Sequence, residues 1–465
     1  MKASIRELGP VKEADIELKP LTIFIGKNNT GKTWTAYLIA AALSSFGYDK
    51  FLSAYHRNEY NYNYIDNVSE EVVSNGSAVL DLQRVLDDYG AQFLNDLSSQ
   101  AQTWFGSFFG TDEFSFEGLK MQLDYDDIIK EWSEAVYSRK VSYGVAYITH
   151  GSMKLKIIKE NGDPIIKFYI IGRESDLDIL PPYFKIAAAD IIFQILRQSL
   201  CPRVIYLPPE RVAYAALALG SGIFEDRVSR YSDIRLMDSL RLAYPISDMM
   251  DMIREIRMWG NIDKRRRFAL SDPAIQKFLD AADIMKMDLL KGEILLVPVD
   301  SEIKHSKVTY QPKGAEGQAL EIPAASSLVK ALSPFYLYLT YIARPGDLLV
   351  IDEPEMNLHP EAQARIIELL SILANAGIKV LVTTHSPYIV DHLANLIKAS
   401  ELDNRDKVAQ SFYLKRSEAF IAQEKVSIYL FEEGKAKNIL SEDGMIDWGT
   451  FGDVSDRLSQ IYFEL

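Results

Sequence analysis

GKNNTGKT, at residues 26–33, follows the apolar run LTIFI at 21–25 and precedes a helical pattern from Trp34 to Phe46. This order of strand, glycine-containing loop and helix is typical of a phosphate-binding loop. Glycine lets main-chain N–H groups approach a phosphate, and the start of a helix favours an anion. An ordinary glycine turn before a helix is the alternative. The residues predicted to contact phosphate are Gly26, Lys27, Asn28, Asn29, Thr30, Gly31, Lys32 and Thr33.

Two later strands are predicted to complete this site. LLVID, at 348–352, reads as a buried parallel strand that brings Asp352 to its carboxyl end, where ligands of open α/β sheets bind. Lys32 would then reach the β- and γ-phosphates of ATP, while Thr33 and Asp352 would hold Mg²⁺. Glu353 is the candidate general base for the attacking water.

The second strand, KVLVTT at 379–384, ends at His385, whose neutral imidazole could hydrogen-bond the γ-phosphate or the water. Taken alone, an Asp-Glu pair after a strand could be a solvated strand end, and a single histidine is more often structural. Their order after a phosphate loop is what favours a catalytic site.

With these motifs the chain resembles the ATP-binding-cassette (ABC) ATPases of the SMC, RecF and OLD kind. EPEMNLHP at 353–360 matches the Walker B and D-loop stretch of that group, and TTHSP at 383–387 matches its switch-histidine strand. The resemblance implies an α/β fold, an ABC-ATPase head with a P-loop core and an antiparallel β-subdomain, interrupted by a large, mainly helical insertion.

In that group a second subunit completes the active site with a signature helix. The corresponding stretch here begins at Ser326 and Ser327, with Lys330 one turn later, and Leu328 departs from the usual glycine. Serine at a helix start can cap the helix or donate to a phosphate, so an ordinary capped helix over 328–341 is the alternative. Related ATPases also place an arginine after a strand beside the nucleotide, and Arg211 has that position.

Four domains are predicted from these patterns. Residues 1–46 form the first half of the head, 47–287 the insertion, 288–432 the second half and 433–465 a tail. The predicted elements include strands within 3–25 forming an antiparallel sheet, a hairpin near 144–171, a helix over 181–200 and a strand over 203–207. Further strands are predicted near 409–415 and 426–431, and helices over 226–287, 387–398 and 451–463.

Composition narrows the class of protein. The 465 residues include one cysteine, which excludes an internal disulfide and suits a reducing compartment. No apolar stretch is long enough for a membrane helix, so we expect a cytoplasmic protein without a membrane partner. The net charge of −14 disfavours a general nucleic-acid coat. A basic run at 254–267 could bind DNA or an acidic protein, although such runs are usually solvated helix faces.

No second catalytic centre is predicted. Asp176 and Asp178 have the spacing of a metal pair but no convincing partner glutamate, and the tail lacks the acidic pattern of the nuclease domain found in OLD proteins. The tyrosine- and asparagine-rich stretch at 51–64 could stack on bases or contact a protein partner, yet a partly buried connection is the simpler interpretation.

In its signature and in PGDLL at 345–349 the chain also resembles stand-alone ATPase subunits of anti-phage systems such as PARIS and Septu. That resemblance implies a homodimer or higher oligomer that senses a DNA or protein trigger and controls a separate nuclease effector. The alternatives are a RecF-like DNA-repair ATPase and an ATP-locked scaffold that does not hydrolyse.

Overall fold

The computed structural model describes most of the chain, namely residues 1–111, 116–124, 129–138, 141–147, 154–160, 162–171, 183–220, 242–299, 305–315, 317–441, 444–446 and 460–461. The strands are β1 Lys2–Leu8, β2 Val11–Glu17, β3 Leu21–Gly26, β4 Ser77–Asp81, β5 Lys120–Leu123, β6 Val141–Tyr147, β7 Lys154–Lys159, β8 Ile165–Ile171, β9 Val204–Leu207, β10 Gly292–Pro298, β11 Ser306–Pro312, β12 Leu320–Glu321, β13 Leu348–Asp352, β14 Lys379–Thr384, β15 Val426–Glu432 and β16 Lys435–Asn438.

The α-helices are α1 Lys32–Leu43, α2 Ser45–His56, α3 Asn63–Asn75, α4 Leu82–Ser99, α5 Ala101–Phe108, α6 Ile129–Ser138, α7 Tyr183–Leu200, α8 Arg211–Leu219, α9 Tyr244–Trp259, α10 Ile262–Ala269, α11 Pro273–Ile284, α12 Ser327–Tyr341, α13 Pro360–Asn375, α14 Pro387–Ser400 and α15 Arg405–Ala409. Helix α1 thus ends at Leu43, before the predicted Phe46, because Ser44 caps a separate α2. None of the helices in the described ranges combines the length and apolar character needed to cross a lipid bilayer.

The chain packs as two compact units that differ from the predicted domains. Unit 1 contains residues 1–4, 41–104 and 120–203, and unit 2 contains 5–40, 105–119 and 204–465. The residues of β9 fall in unit 2 because β9 pairs with β13, although they lie inside the predicted insertion at 47–287. The two units describe how the chain packs. The division into four domains describes the order of the motifs along the sequence, and it stays a prediction.

Unit 2 is built on a sheet in the order β1-β2-β16-β15-β3-β14-β13-β9. Its centre is parallel, with β3 between β14 and β15, and β13 between β14 and β9. Strands β3 and β13 are buried along their whole length, which explains their unbroken apolar runs. This arrangement confirms the predicted α/β class and brings three strand ends to one edge.

The antiparallel part of the sheet differs from the prediction. Strand β16 pairs antiparallel with β15 and parallel with β2, so that β15 and β16 lie between β2 and β3. The first three strands therefore do not form one continuous antiparallel sheet. The reason is long-range pairing, since the phosphate-loop strand takes both neighbours from the second half of the sequence.

Unit 1 has a core of stacked and edge-on aromatic rings around Phe193 of α7. The centroid of its ring lies 5.0 Å from that of Phe51, 4.9 Å from that of Tyr62 and 5.8 Å from that of Phe93. Such pairs add favourable contacts beyond the apolar area that they bury. The tyrosine-rich stretch therefore contributes buried side chains to a core rather than an exposed stacking surface.

A four-stranded antiparallel sheet, β4-β8-β7-β6, completes unit 1. The predicted hairpin is present, but its first strand is two strands, β6 and β7. Strand β4 lies within the insertion that was predicted to be mainly helical. The turn before β8 contains Gly162 at φ +80°, as the turn sequence predicts.

The strand predicted near 409–415 is wrong. Residues 405–409 form α15. Beyond this helix, the N–H groups of Tyr413 and Leu414 donate to the carboxylate of Glu368, at 3.0 and 2.7 Å, and not to the carbonyls of a neighbouring strand. Residues 226–241 lie outside the described ranges. So do Asp176 and Asp178, and all of the predicted helix at 451–463 except residues 460–461.

Candidate active site

The phosphate loop joins the buried end of β3 to the start of α1. Gly26 has φ +141° and Gly31 has φ +92°, in the region that favours glycine. A Cβ on Gly26 would lie 2.5 Å from the carbonyl oxygen of Phe431, and one on Gly31 would lie 2.3 Å from Cγ2 of Val11. Both positions therefore require glycine for the close approach of neighbouring chain as well as for the backbone conformation.

The tip of the loop is open to solvent. Lys27, Asn28 and Asn29 are exposed, and Asn29 adopts φ +62°, while Thr30 closes the turn by donating to the carbonyl of Lys27 at 2.9 Å. The tip of the loop at 27–29 is therefore accessible from solvent, whereas Gly26 and Lys32 are buried.

Lys32 lies inside the loop rather than at its surface. Its ammonium donates to the carbonyls of Gly26 at 3.0 Å and Lys27 at 2.7 Å, and only 5% of the residue is exposed. Burial lowers the pKa of Lys32 to about 8, although the carboxylates of Asp352 and Glu353 act in the opposite direction. A buried cation held by carbonyls alone is short of negative charge, which a phosphate would supply.

Asp352 is the buried acid at the end of β13, 2% exposed. Its Oδ1 accepts hydrogen bonds from the hydroxyls of Thr33, at 3.1 Å, and Thr383. Burial raises the pKa of Asp352 to about 6, against the lowering effect of these two hydroxyls. The structure thus brings Thr33 and Asp352 together although 319 positions separate them in the sequence.

Glu353 turns the chain away from the sheet. It has φ +48°, its N–H donates to the carbonyl of Thr383 at 3.0 Å, and its Oε1 lies 3.6 Å from Nε2 of His385. Burial, and next the charge of Lys32, lower the pKa of His385. The imidazole is therefore neutral near pH 7 and faces the candidate base.

Glu355 is a site residue whose role sequence reasoning missed. Its Oε1 accepts from the hydroxyl of Thr384 at 2.9 Å and from the N–H of His385 at 2.7 Å, and burial raises the pKa of this carboxyl group. The carboxylate therefore fixes the chain that carries His385. The signal in the sequence was its place two residues after the candidate base, on a turn opposite the histidine strand.

Arg211, which was predicted to lie beside the nucleotide, is the first residue of α8 and follows the end of β9. Its guanidinium is buried and donates to three main-chain carbonyls, those of Pro208, Asp352 and Glu353. Burial lowers the pKa of this group, and the charge of Asp352 opposes that shift. The residue thus contacts the backbone beneath the two acids.

The signature-like residues stand at the start of α12. Ser326 caps the helix by accepting from the N–H of Val329 at 3.3 Å, which the capping alternative predicted. Ser326 and Ser327 are exposed, Lys330 is half-buried, and Leu328 packs partly against the core. Exposure leaves both hydroxyls accessible to another molecule.

The basic run separates into structural and exposed residues. Arg265 is buried and donates to the carbonyl of Ala343, and Arg257 donates to the carbonyls of Ser306 and Ala218. Arg266 and Arg267 are exposed. The run therefore is not a uniform surface, and a combined replacement at 265–267 would alter the core.

ATP and Mg²⁺ fit this arrangement of residues. The loop offers a cradle that side chains would fill, a buried cation, and the Thr33 hydroxyl beside the Asp352 carboxylate, which are oxygen ligands of the kind that Mg²⁺ prefers. Across the described ranges, no group of three or more His, Cys, Asp or Glu side chains could hold a metal by itself. Magnesium often binds proteins through one or two side chains plus substrate phosphates and water.

Residues 217–391 match a family model described as "AAA domain, putative AbiEii toxin, Type IV TA system". The match contains Asp352, Glu353 and His385 and excludes the phosphate loop. It covers less than half of the chain, and the similarity to this family is limited to these residues. No curated protein sequence matches the chain.

Two solved structures of SMC heads are similar to the chain, with low sequence identity and low TM-scores. One is an SMC head bound to the C-terminal winged-helix domain of ScpA, with 12% identity, a TM-score of 0.36, and coverage of 94% of this chain and 96% of that one. The other is the SMC head from Pyrococcus furiosus with an extended coiled coil, bound to the C-terminal domain of ScpA. It has 13% identity, a TM-score of 0.34, and coverage of 99% and 98%.

Proposed function

We propose that this chain binds ATP with Mg²⁺ and hydrolyses it. The observation that carries the proposal is the hydrogen bond, 3.1 Å long, from the hydroxyl of Thr33 to Oδ1 of Asp352. It lies in the same site as the buried ammonium of Lys32 and the Glu353–His385 pair. Groups from three strand ends converge at one edge of the parallel sheet, where nucleotides bind in α/β proteins. An accidental cluster of buried charges would be costly, because each charge loses its hydration.

Each side chain has a separate task in hydrolysis. Lys32 binds the phosphate oxygens, and Thr33 with Asp352 would hold Mg²⁺, which neutralises charge on the phosphates when bound. Glu353 accepts the proton of the attacking water. His385, neutral because its pKa is lowered, orients that water or the γ-phosphate by hydrogen bonding.

The site is proposed to be completed by a second copy of the chain. The hydroxyls of Ser326 and Ser327 are exposed at the start of α12, and Lys330 lies half-buried one turn later. The start of a helix with exposed serines and a nearby cation suits a phosphate. A head-to-tail homodimer or higher oligomer would place these groups on the partner's ATP.

The biological role proposed is that of an ATP-dependent sensor and scaffold of an anti-phage system that controls a separate nuclease. The sequence resemblance supports this role, and the description of the matched family names a toxin–antitoxin system, which favours action with another protein. Purification with the product of a neighbouring gene, followed by mass measurement with and without ATP, tests it. A complex with a nuclease would support the role, whereas replication or repair proteins as the stable partners would favour the RecF-like alternative.

The enzymatic proposal is tested by mixing two inactive variants. Ser327→Arg blocks the signature face and Lys32→Ala disables the phosphate loop, so a mixed dimer keeps one intact composite site. We expect phosphate release to reappear on mixing and to peak near equal amounts. Each variant alone is the control. A mixture that stays inactive at every ratio would contradict independent trans sites, and full activity of Ser327→Arg alone would exclude the signature assignment.

The DNA alternative has its own test. Arg266→Ser with Arg267→Ser removes two exposed cations but leaves the buried Arg265 in place. Protein that binds DNA through this face would lose affinity, and its salt dependence would become shallower. Unchanged binding to a DNA duplex would exclude this face as the contact.

A further inference from the structure

The buried guanidinium of Arg211 joins two strands where their pairing stops. Strands β9 and β13 pair in parallel up to Leu207 and Ile351. Beyond that point Nη1 of Arg211 donates to the carbonyls of Pro208 at 3.1 Å and Asp352 at 2.8 Å, and Nη2 donates to the carbonyl of Glu353 at 2.8 Å. One side chain therefore extends the connection between the strands past the end of the ladder.

Two of the three carbonyls that Arg211 holds belong to the two acids of the site, Asp352 and Glu353. Glu353 adopts φ +48°, a conformation that is uncommon for residues with a side chain and persists where surrounding contacts impose it. On the other side, its N–H donates to Thr383 of β14. The peptide groups around Glu353 are thus fixed from both neighbouring strands, and Arg211 supplies one of the two sides.

The guanidinium is suited to this task and poorly placed to bind a ligand. It is only 2% exposed, and the described contacts direct both terminal nitrogens at main-chain oxygens. A planar group with fixed donors can hold adjacent carbonyls at defined positions, which a flexible ammonium does less well.

We propose that Arg211 is a positioning residue for hydrolysis, which orients Glu353 through its main chain and does not contact the nucleotide. The inference rests on the proposed ATPase activity. It predicts a defect in turnover rather than in binding, because the groups that touch phosphate, Lys32 and the loop, lie on β3 and α1. A shift of a base by about 1 Å can cost about 10²-fold in rate.

The test compares Arg211→Met and Arg211→Lys with Arg265→Met. Arg265 is the matched control, since it is also buried in unit 2 and donates to a carbonyl, that of Ala343, outside the site. We expect Arg211→Met to lower kcat about 10- to 100-fold with KM changed less than about 3-fold. Compared with Arg211→Met, Arg211→Lys should regain more of the wild-type melting temperature than of the wild-type kcat. Arg265→Met should lower the melting temperature and leave kcat unchanged.

A double variant separates action through Glu353 from a general loss of structure. If Arg211 acts on Glu353, Arg211→Met should have little further effect on kcat once Glu353→Gln is present, because effects of residues that act as one unit are not additive. Additive losses would overturn the proposal. A rise in KM at constant kcat in Arg211→Met would also overturn the proposal, and it would favour the earlier prediction that Arg211 contacts the nucleotide.

The outcomes also distinguish this inference from the activity on which it rests. Wild-type protein without ATP hydrolysis would contradict the proposed function itself. Hydrolysis by wild type with equal kcat in both Arg211 variants would refute only the positioning role. If Arg211→Met does not fold, Arg211→Lys and its double variant with Glu353→Gln carry the same comparison.

Discussion

Two carboxylates of unit 2 are buried to the same degree but are surrounded differently. Glu368 on α13 is fully buried, and it accepts from the N–H groups of Tyr413 and Leu414, while Nε2 of His392 lies 2.7 Å from its Oε1. Asp352 accepts from the hydroxyls of Thr33 and Thr383, and burial raises its pKa to about 6. Both acids are inside the protein, but only Glu368 has main-chain N–H groups and an imidazole around it.

We propose that this difference separates a structural acid, Glu368, from a functional one, Asp352. The region around Glu368 fixes an irregular segment, because its carboxylate satisfies N–H groups that would otherwise be buried without partners. The region around Asp352 keeps an acid that is poorly compensated by the protein alone. Such incomplete compensation is common where a protein binds a cation or a substrate.

The largest expected effect is the loss of ATP binding in Lys32→Ala. Removal of a buried cation that meets the phosphates should weaken binding by about 3–4 kcal/mol, or roughly 10²–10³-fold. Titration with a fluorescent ATP analogue measures it. Glu368→Gln serves as the control at the structural acid and should bind ATP as wild type does. Equal ATP affinity in Lys32→Ala would remove the distinction between the two regions.

Glu353→Gln should keep ATP binding and slow turnover by ~10²-fold or more, the usual scale for the loss of a positioned base. Single-turnover phosphate release at saturating ATP measures this step. Retained turnover would mean that another group activates the water. His385→Gln is the next variant in that case, because its ring faces the same carboxylate at 3.6 Å.

Glu368→Gln should destabilise the protein by about 2 kcal/mol, because charged hydrogen bonds to Tyr413, Leu414 and His392 are weakened in a buried position. Denaturant unfolding gives the free energy, and kcat of the folded protein should not change. A variant as stable as wild type would show that these hydrogen bonds contribute little.

Asp352→Asn should have the opposite sign and stabilise the ligand-free protein by about 1–2 kcal/mol. The folded pKa, about 6, lies above the usual 3.8, so the charged acid opposes folding at pH 7. This penalty is complete above pH 6 and disappears as the pH falls toward 4. The gain over wild type should therefore shrink over that interval in unfolding experiments, while Mg²⁺-dependent hydrolysis is lost at every pH. A gain independent of pH would contradict this cause.

The sequence was most informative where a local pattern is sufficient. The phosphate loop, β13 and β14 follow from apolar runs that end in polar residues, and each is where the pattern predicts it. The position of β15 and β16 between β2 and β3 depends on pairing between distant segments, which no local pattern encodes. The contacts of Arg211 could not be predicted for a different reason. They are made to main-chain carbonyl groups, and every residue type would present the same acceptors at 352 and 353.

The position of β3 also affects how the protein is made. Its two neighbours in the sheet are β14, which pairs with it through Thr384, and β15, which pairs through Phe431. During synthesis on a ribosome, the phosphate loop is made early, and roughly 400 more residues follow before β15 is complete. At typical rates of synthesis this takes about 20–80 s. During that interval the apolar strand LTIFI at 21–25 lacks at least one of its two neighbours, which makes the nascent chain a candidate client of chaperones.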